Sequence, residues 1–275
     1  MISATSIRSR LFNIAQKEEI AFQVVVTRYL HERFLYRLSV SKYAGHFYLK
    51  GGNFIYALQG LLTRPTVDID LSGQNTSNDP KELQQVFQEI LSVSCDDAVK
   101  FDEEKITTEQ ITENSEYGGI RLFFPAAFDT VKQRIQIDIG FGDKITPKPV
   151  KIKFPVLIQG VPAPELLAYT IETVIAEKFQ TMVFLGTINS RMKDFYDVYQ
   201  LLINENVNEQ TLKDAIKVTF QARGTELSRE HSIFSETFQD DPTRITMWNA
   251  FLKKIKRERE VTFQEVMQVI NKKLL

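Results

Sequence analysis

Residues Thr66-Val67-Asp68-Ile69-Asp70-Leu71 alternate strictly between polar and apolar side chains. A period of two belongs to a strand with one buried face, so this segment must find partners in a sheet. Val67, Ile69 and Leu71 are expected on the core side, and Asp68 and Asp70 on the other. Aspartate is depleted in strands, so two in one short strand run against local preference. Same-face neighbours stand roughly 7 Å apart at Cα. Mg²⁺ and Mn²⁺ take oxygen ligands, and Mg²⁺ is commonly held by one or two carboxylates together with substrate phosphates. The pair could also be merely solvated, and the surrounding sequence has to weigh the two.

Upstream, His46-Phe47-Tyr48-Leu49 reads as a short strand that meets a tight turn at Gly51-Gly52. Asn53 is placed to cap the following helix, with Phe54, Ala57 and Leu58 on its buried side. Glycines let backbone N–H groups approach a phosphate, and the start of a helix favours an anion. Downstream, Arg134 to Ile139 is a second alternating strand. Ile135, Ile137 and Ile139 face the core, while Gln136 and Asp138 face away. Asp138 alone would be an ordinary edge acid. With Asp68 and Asp70 it makes the three convergent carboxylates that a two-metal phosphoryl-transfer centre requires.

The rest of the chain divides by texture. An opening helical stretch carries a stripe of Ile20, Val24, Thr27, Leu30, Phe34, Leu35 and Leu38, and Asp79 to Leu91 is an amphipathic helix. Ile120 to Phe124 is a further strand, and a loop rich in Gly, Pro and Lys runs from Gly140 to Pro155. Helices are then expected over Glu165–Leu185, Lys193–Ile203 and Asn208–Val218, with two more to the end. The reading is α+β: a short mixed sheet with helices over residues 1–155, then a helical half over 156–275.

Composition bounds the partners. A chain of 275 residues, 43% hydrophobic and 25% charged, can build a core without staples. Cys95 is the single cysteine, so no intrachain disulfide is possible, and three scattered histidines argue against a Cys/His zinc site. This usage fits a reducing cytoplasm. The N-terminal residues lack the apolar run of a secretory signal, and no stretch nears the roughly 18 apolar residues of a membrane span. With 34 basic and 35 acidic residues the formal charge is −1, so contact with nucleic acid requires a local patch. Lys148, Lys151 and Lys153 form one basic loop. Lys253 to Glu260 is a charge run of five basic and two acidic residues. Both read more readily as solvated faces than as RNA contacts.

Two sets of motifs resemble the AbiEii/AbiGii toxin family of nucleotidyltransferases. The first is Lys50-Gly51-Gly52-Asn53 with Thr63-Arg64-Pro65-Thr66-Val67-Asp68-Ile69-Asp70-Leu71. The second is Ile175-Ala176-Glu177-Lys178-Phe179 with Arg191-Met192-Lys193-Asp194-Phe195-Tyr196-Asp197-Val198-Tyr199. The resemblance implies a DNA-polymerase-β-like nucleotidyltransferase core whose active-site cleft is completed by a helical C-terminal half. It implies the toxin of a bacterial toxin–antitoxin or phage-defence system, with a cognate antitoxin, an NTP co-substrate and an RNA acceptor such as tRNA. Asp68 and Asp70 become metal ligands for Mg²⁺ or Mn²⁺. Lys50, Gly51, Gly52, Asn53 and Arg64 fall on the nucleotide side, Lys178 becomes the nucleotide-contacting lysine and Asp194 the acid of the last motif. Ser or Thr usually follows the glycine pair; Asn53 can still donate to a phosphate, with a different reach.

In the second half, Leu167, Ile171, Val174, Ile175 and Met182 share a helix face, and Lys178 lies beside that stripe. Its ammonium either snorkels to solvent or reaches a triphosphate in the cleft. Asp194 and Asp197 sit in the first turn of a helix whose stripe is Phe195, Val198, Tyr199 and Leu202. Acids there favour the helix dipole, which suffices for Asp197. Arg191 and Lys193 are candidate phosphate contacts. The expected reaction brings an acceptor hydroxyl in line with the α-phosphorus of an NTP on two divalent metals, with Asp138 as third ligand or acceptor-orienting group. The alternatives are a metal-dependent kinase acting on a protein or small molecule, and a nucleotide-binding protein with impaired catalysis.

Overall fold

In a computed structural model the chain is described over residues 3–111, 118–257 and 261–275. Met1–Gly142 and Val150–Ala168 make one unit, and Asp143–Pro149 and Tyr169–Leu275 the other. The first unit contains helices α1 (Ala4–Lys17), α2 (Phe22–Val40), α3 (Gly51–Gln59) and α4 (Pro80–Leu91). Its strands are β1 (Phe47–Lys50), β2 (Asp68–Gly73), β3 (Lys100–Phe101), β4 (Thr107–Ile111), β5 (Gly119–Phe128), β6 (Val131–Phe141), β7 (Val150–Lys153) and β8 (Glu165–Ala168). They form one mixed sheet in the order β3-β5-β6-β2-β1-β8-β7, with β4 also on β5. β2–β6 and β1–β8 are parallel and the other pairs antiparallel.

Alternation decides which face is core. Ile69 and Leu71 of β2, Ile135, Ile137 and Ile139 of β6, and Leu122 and Phe124 of β5 are all buried. Phe34 of α2 stacks on Phe87 of α4 and packs against Phe124, and Phe87 also meets Phe47 of β1. These two helices therefore cover the apolar face. The opposite face keeps Asp68, Asp70 and Asp138 partly exposed.

Several expected boundaries move. The opening stretch is two helices, broken where Glu19 takes a positive φ, so Ile20 lies outside both. Val67 is 72% exposed, because pairing with β6 begins only at Asp68. Asn53 is not a cap: α3 starts at Gly51 with Lys50 as its N-cap, so Asn53 lies within the first turn. Of the three residues expected on the buried side of α3, Phe54 is buried, Ala57 half-buried and Leu58 exposed. Glu165–Ala168 is a strand, not the first turn of a helix. An apolar run this short carries no decisive period, and here β7 and β1 supply its partners. The expected loop before Pro155 contains β7, whose Lys151 and Lys153 stand on a sheet edge, a common guard against edge pairing.

The second unit is helical: α5 (Ile171–Leu185), α6 (Met192–Asn204), α7 (Glu209–Ala222), α8 (Glu236–Gln239), α9 (Pro242–Lys254) and α10 (Phe263–Leu274). α5 opens on Thr170, whose side chain accepts from the Thr173 N–H. Phe195, Phe238, Trp248 and Phe263 form its aromatic core, and the Trp248 indole donates to Val261 O at 2.9 Å. Residues 258–260 of the charge run lie outside the described residues. No helix among the described residues is long and apolar enough to cross a membrane.

α2 is buried on nearly every side although it is not apolar on every side. His31, Glu32, Arg33 and Arg37 are 0–3% exposed. Buried charges need partners. Arg33 pairs with Glu32 at 2.7 Å, and Glu32 accepts from the Leu157 N–H. Arg37 forks onto Asp97 at 2.7 and 3.0 Å and donates to Val99 O. Removing one member of such a pair leaves an uncompensated buried charge, at a cost of about 3–5 kcal/mol. Asp97→Ala is therefore expected to lower the urea-unfolding free energy by about that amount, whereas a change below ~1 kcal/mol would mean that the pair is not buried in solution.

Candidate active site

The sheet register assembles the acidic face. Lys50, Asp70, Asp138 and Arg121 stand directly opposite one another on β1, β2, β6 and β5, and Asp68 stands opposite Gln136. Being in register, these residues share a face. Asp68, Asp70 and Asp138 each offer a carboxylate oxygen, and the three oxygens lie within 4.8 Å of one another. At that separation two carboxylates repel by about 3 kcal/mol at an effective dielectric near 20. A hard divalent cation would relieve that repulsion, and three carboxylate oxygens are a suitable donor set for one.

Close backbone packing holds the carboxylates in place. Gly51 adopts φ +63°, and a Cβ there would overlap the Asp70 carboxylate, 2.5 Å from its Cγ. A Cβ on Gly52 would lie 2.9 Å from Cβ and Oγ1 of Thr66. The glycine pair thus lets the start of α3 press against β2. Thr66 Oγ1 donates to Asp68 Oδ1 at 2.7 Å. Asn53 is 1% exposed and turns inward, its amide donating to Asp68 O at 2.8 Å. Its oxygen faces His31 Nδ1 at 3.3 Å, so the imidazole donates from that nitrogen. Burial pushes the pKa of His31 down to about 4, and the ring is neutral near pH 7. The side chain expected to reach a phosphate instead pins the backbone of a metal-ligand candidate. Arg28 donates to Leu61 O and Thr63 O at 2.7 and 2.8 Å, fixing the loop that enters β2. Arg64, in that loop, donates to Pro65 O.

The second unit holds the other motif residues together. Lys178 Nζ lies 2.6 Å from Asp194 Oδ1 and 2.8 Å from Asp197 Oδ2, and Arg191 Nε lies 2.7 Å from Asp194 Oδ2. Lys178 is only 13% exposed at its side chain and both acids 2%, so the lysine does not snorkel freely to solvent. Burial alone would raise the Asp194 pKa, but the charges of Lys178 and Arg191 outweigh it and hold the carboxyl well below the usual range. Asp197 is more than a helix-dipole acid: it is a buried ion-pair partner. Lys193 is exposed, apart from this cluster. Of the stripe expected on α6, Phe195 and Val198 are buried and Tyr199 and Leu202 half-buried, and Leu201 takes the core position expected of Leu202.

Arg121, Thr66 and His31 were not singled out from sequence, and Arg121 left a readable signal. A two-residue turn at Asp129-Thr130 joins β5 to β6, pairing Phe128 with Val131. Counting outward from that turn places Arg121 opposite Asp138.

A mixed sheet presenting two aspartates behind a glycine turn, followed by a helical unit, defines a nucleotidyltransferase-like architecture. The crystal structure of JHP933 from Helicobacter pylori shares this fold with a TM-score of 0.53 and 15% identity, over 92% of this chain and 94% of that one. A second H. pylori crystal structure, described as a "putative nucleotidyltransferase", gives a TM-score of 0.51 and 16% identity over 93% and 97%. No curated protein matches the sequence. The family model for the nucleotidyl transferase AbiEii toxin of type IV toxin–antitoxin systems matches residues 33–269, and the chain belongs to that family.

Gly51→Ala tests the packing against Asp70. A left-handed φ alone costs a non-glycine residue about 1–2 kcal/mol, and the overlap adds to it. The variant is expected to lose at least that much stability in urea unfolding. Wild-type stability would show that Gly51 and Asp70 are not pressed together.

Proposed function

We propose that this family member transfers an NMP unit from an NTP to an RNA acceptor such as tRNA, in a reaction that depends on a divalent metal such as Mg²⁺ or Mn²⁺. The observation that carries this reading is the trio of carboxylate oxygens within 4.8 Å beside a glycine turn. Asp68 and Asp70 would hold the metal and, through it, the triphosphate. Asp138 would be the third ligand or orient the acceptor. Bound divalent metal neutralises phosphate charge and favours the alkoxide form of the attacking hydroxyl. Gly51 and Gly52 would bring the N–H groups at the start of α3 to the phosphates, with Lys50 and Arg64 on the nucleotide side.

Asn53 leaves the set of phosphate contacts and becomes a positioning residue. Lys178 would contact the nucleotide, the role its motif implies. Asp194 and Asp197 fix its ammonium, which is how a cation is preorganised for charge developing in phosphoryl transfer. Arg191 remains a candidate phosphate contact at 39% side-chain exposure. A cognate antitoxin follows from the type IV family.

The test is intact-mass analysis of tRNA incubated with purified protein, NTPs and Mg²⁺. Wild type is expected to add one or more NMP masses. Asp68→Asn and Asp70→Asn are expected to stay folded and lose at least about a thousandfold in rate, equivalent to ~4 kcal/mol of transition-state stabilisation. Expression of wild type, but not of Asp70→Asn, is expected to slow bacterial growth. Wild-type rates in both folded variants would remove Asp68 and Asp70 from the active site. An unmodified tRNA pool would remove tRNA as the acceptor.

A further inference from the structure

Asp138 is already heavily engaged. Its Oδ1 accepts from Arg121 Nε at 2.8 Å and from Gln136 Nε2 at 3.0 Å, and its Oδ2 accepts from Arg121 Nη2 at 2.7 Å. A carboxylate offers about four lone-pair positions, two on each oxygen. Both positions on Oδ1 are occupied, and Oδ2 retains one. The fork geometry is the strong, planar form of an arginine–carboxylate pair. The pair is only partly solvated, with side-chain exposures of 33% and 17%. It is also backed by the backbone, because Arg121 and Asp138 are directly opposed residues of an antiparallel ladder.

In a two-metal centre the third carboxylate would serve the ion on the nucleophile side. The one position left on Oδ2 could bind that ion, but the Arg121 guanidinium, with Nη2 2.7 Å from the same oxygen, repels it. We propose that Arg121 stands in for the second cation. In the absence of nucleotide, the site takes one divalent ion on Asp68 and Asp70 with at most a single bond from Asp138 Oδ2. The guanidinium meanwhile supplies the other positive charge next to Asp138. Arg121 is thus a positioning residue and a gate on metal stoichiometry: a second ion is admitted only when the guanidinium releases Asp138. This inference rests on the metal-centre reading above and specifies how many ions that centre holds.

The experiment is a Mn²⁺ titration of the nucleotide-free protein, with free Mn²⁺ followed by electron paramagnetic resonance. Wild type, Arg121→Gln, Arg121→Lys and Asp70→Asn are compared, and thermal melts confirm that each is folded. Wild type is expected to bind one ion, and Asp70→Asn to lose it. Arg121→Gln frees Asp138 and is expected to gain a second site, tightened by about tenfold relative to any weak second site in wild type, as befits loss of one charge-assisted competitor. Arg121→Lys keeps the charge but not the fork and should fall between the two. Should Arg121→Gln not fold, Arg121→Lys carries the comparison, and an unchanged second-site affinity there overturns the proposal. Two equally tight ions in wild type, or no change in Arg121→Gln, also overturn it while leaving the metal centre intact. If Asp70→Asn binds Mn²⁺ as wild type does, the metal-centre reading fails first, and the gate with it.

Discussion

Three carboxylates held within 4.8 Å of one another repel, and much of the first unit is arranged to keep them there. Asp70 is backed by a backbone position that admits no side chain at all. Asp68 is held at both ends, its carboxylate by Thr66 and its carbonyl by Asn53. Asp138 is clamped by Arg121 and Gln136. None of these contacts is long-range electrostatics; each is a short contact set by sheet register or by the glycine turn. Preorganised charge of this kind favours transfer chemistry.

Behind the sheet, α2 performs the same service from the core. Its buried arginines reach the loop before β2, the Pro162 carbonyl and Asp97. His31 supports Asn53, which in turn supports Asp68. Some of its polar atoms, including His31 Nε2 and Arg33 Nε, are buried without a hydrogen-bond partner. A hydrophobic helix could have filled this volume at lower cost. The polar one ties several loops to a single rigid element, and the loop held by Arg28 leads into the acidic strand.

The acidic strand was legible because alternation names both its faces, and Asp138 was legible for the same reason. Both readings needed only local sequence. The α+β class followed by a helical half was also legible, since the shift from period two to period 3.6 is a local signal too. What escaped depends on contacts far apart in sequence. Asn53 read as a cap because Gly-Gly reads as a turn, yet α3 begins on the glycines and turns Asn53 toward β2. Arg33 and Arg37 of α2 drew no reading from the sequence, because nothing near them announces Pro162 O, Asp97 and Val99 O as their partners in a closed core. β7 and β8 are four residues each, too short to declare a period before their partners are known. Arg121 lies between these cases. The turn at Asp129-Thr130 fixes its register, and counting from that turn would have found it.

Membership of the AbiEii family brings an antitoxin and an NTP, and the geometry of the acidic face suits transfer of a nucleotidyl rather than a terminal phosphoryl group only if the metal-bound triphosphate is attacked at its α-phosphorus. Incubation with acceptor and NTP labelled separately at the α and γ positions reads that choice directly. The expected result is α label on the acceptor, with γ label released in pyrophosphate. Label moving to the acceptor from the γ position, with none from the α position, would contradict it.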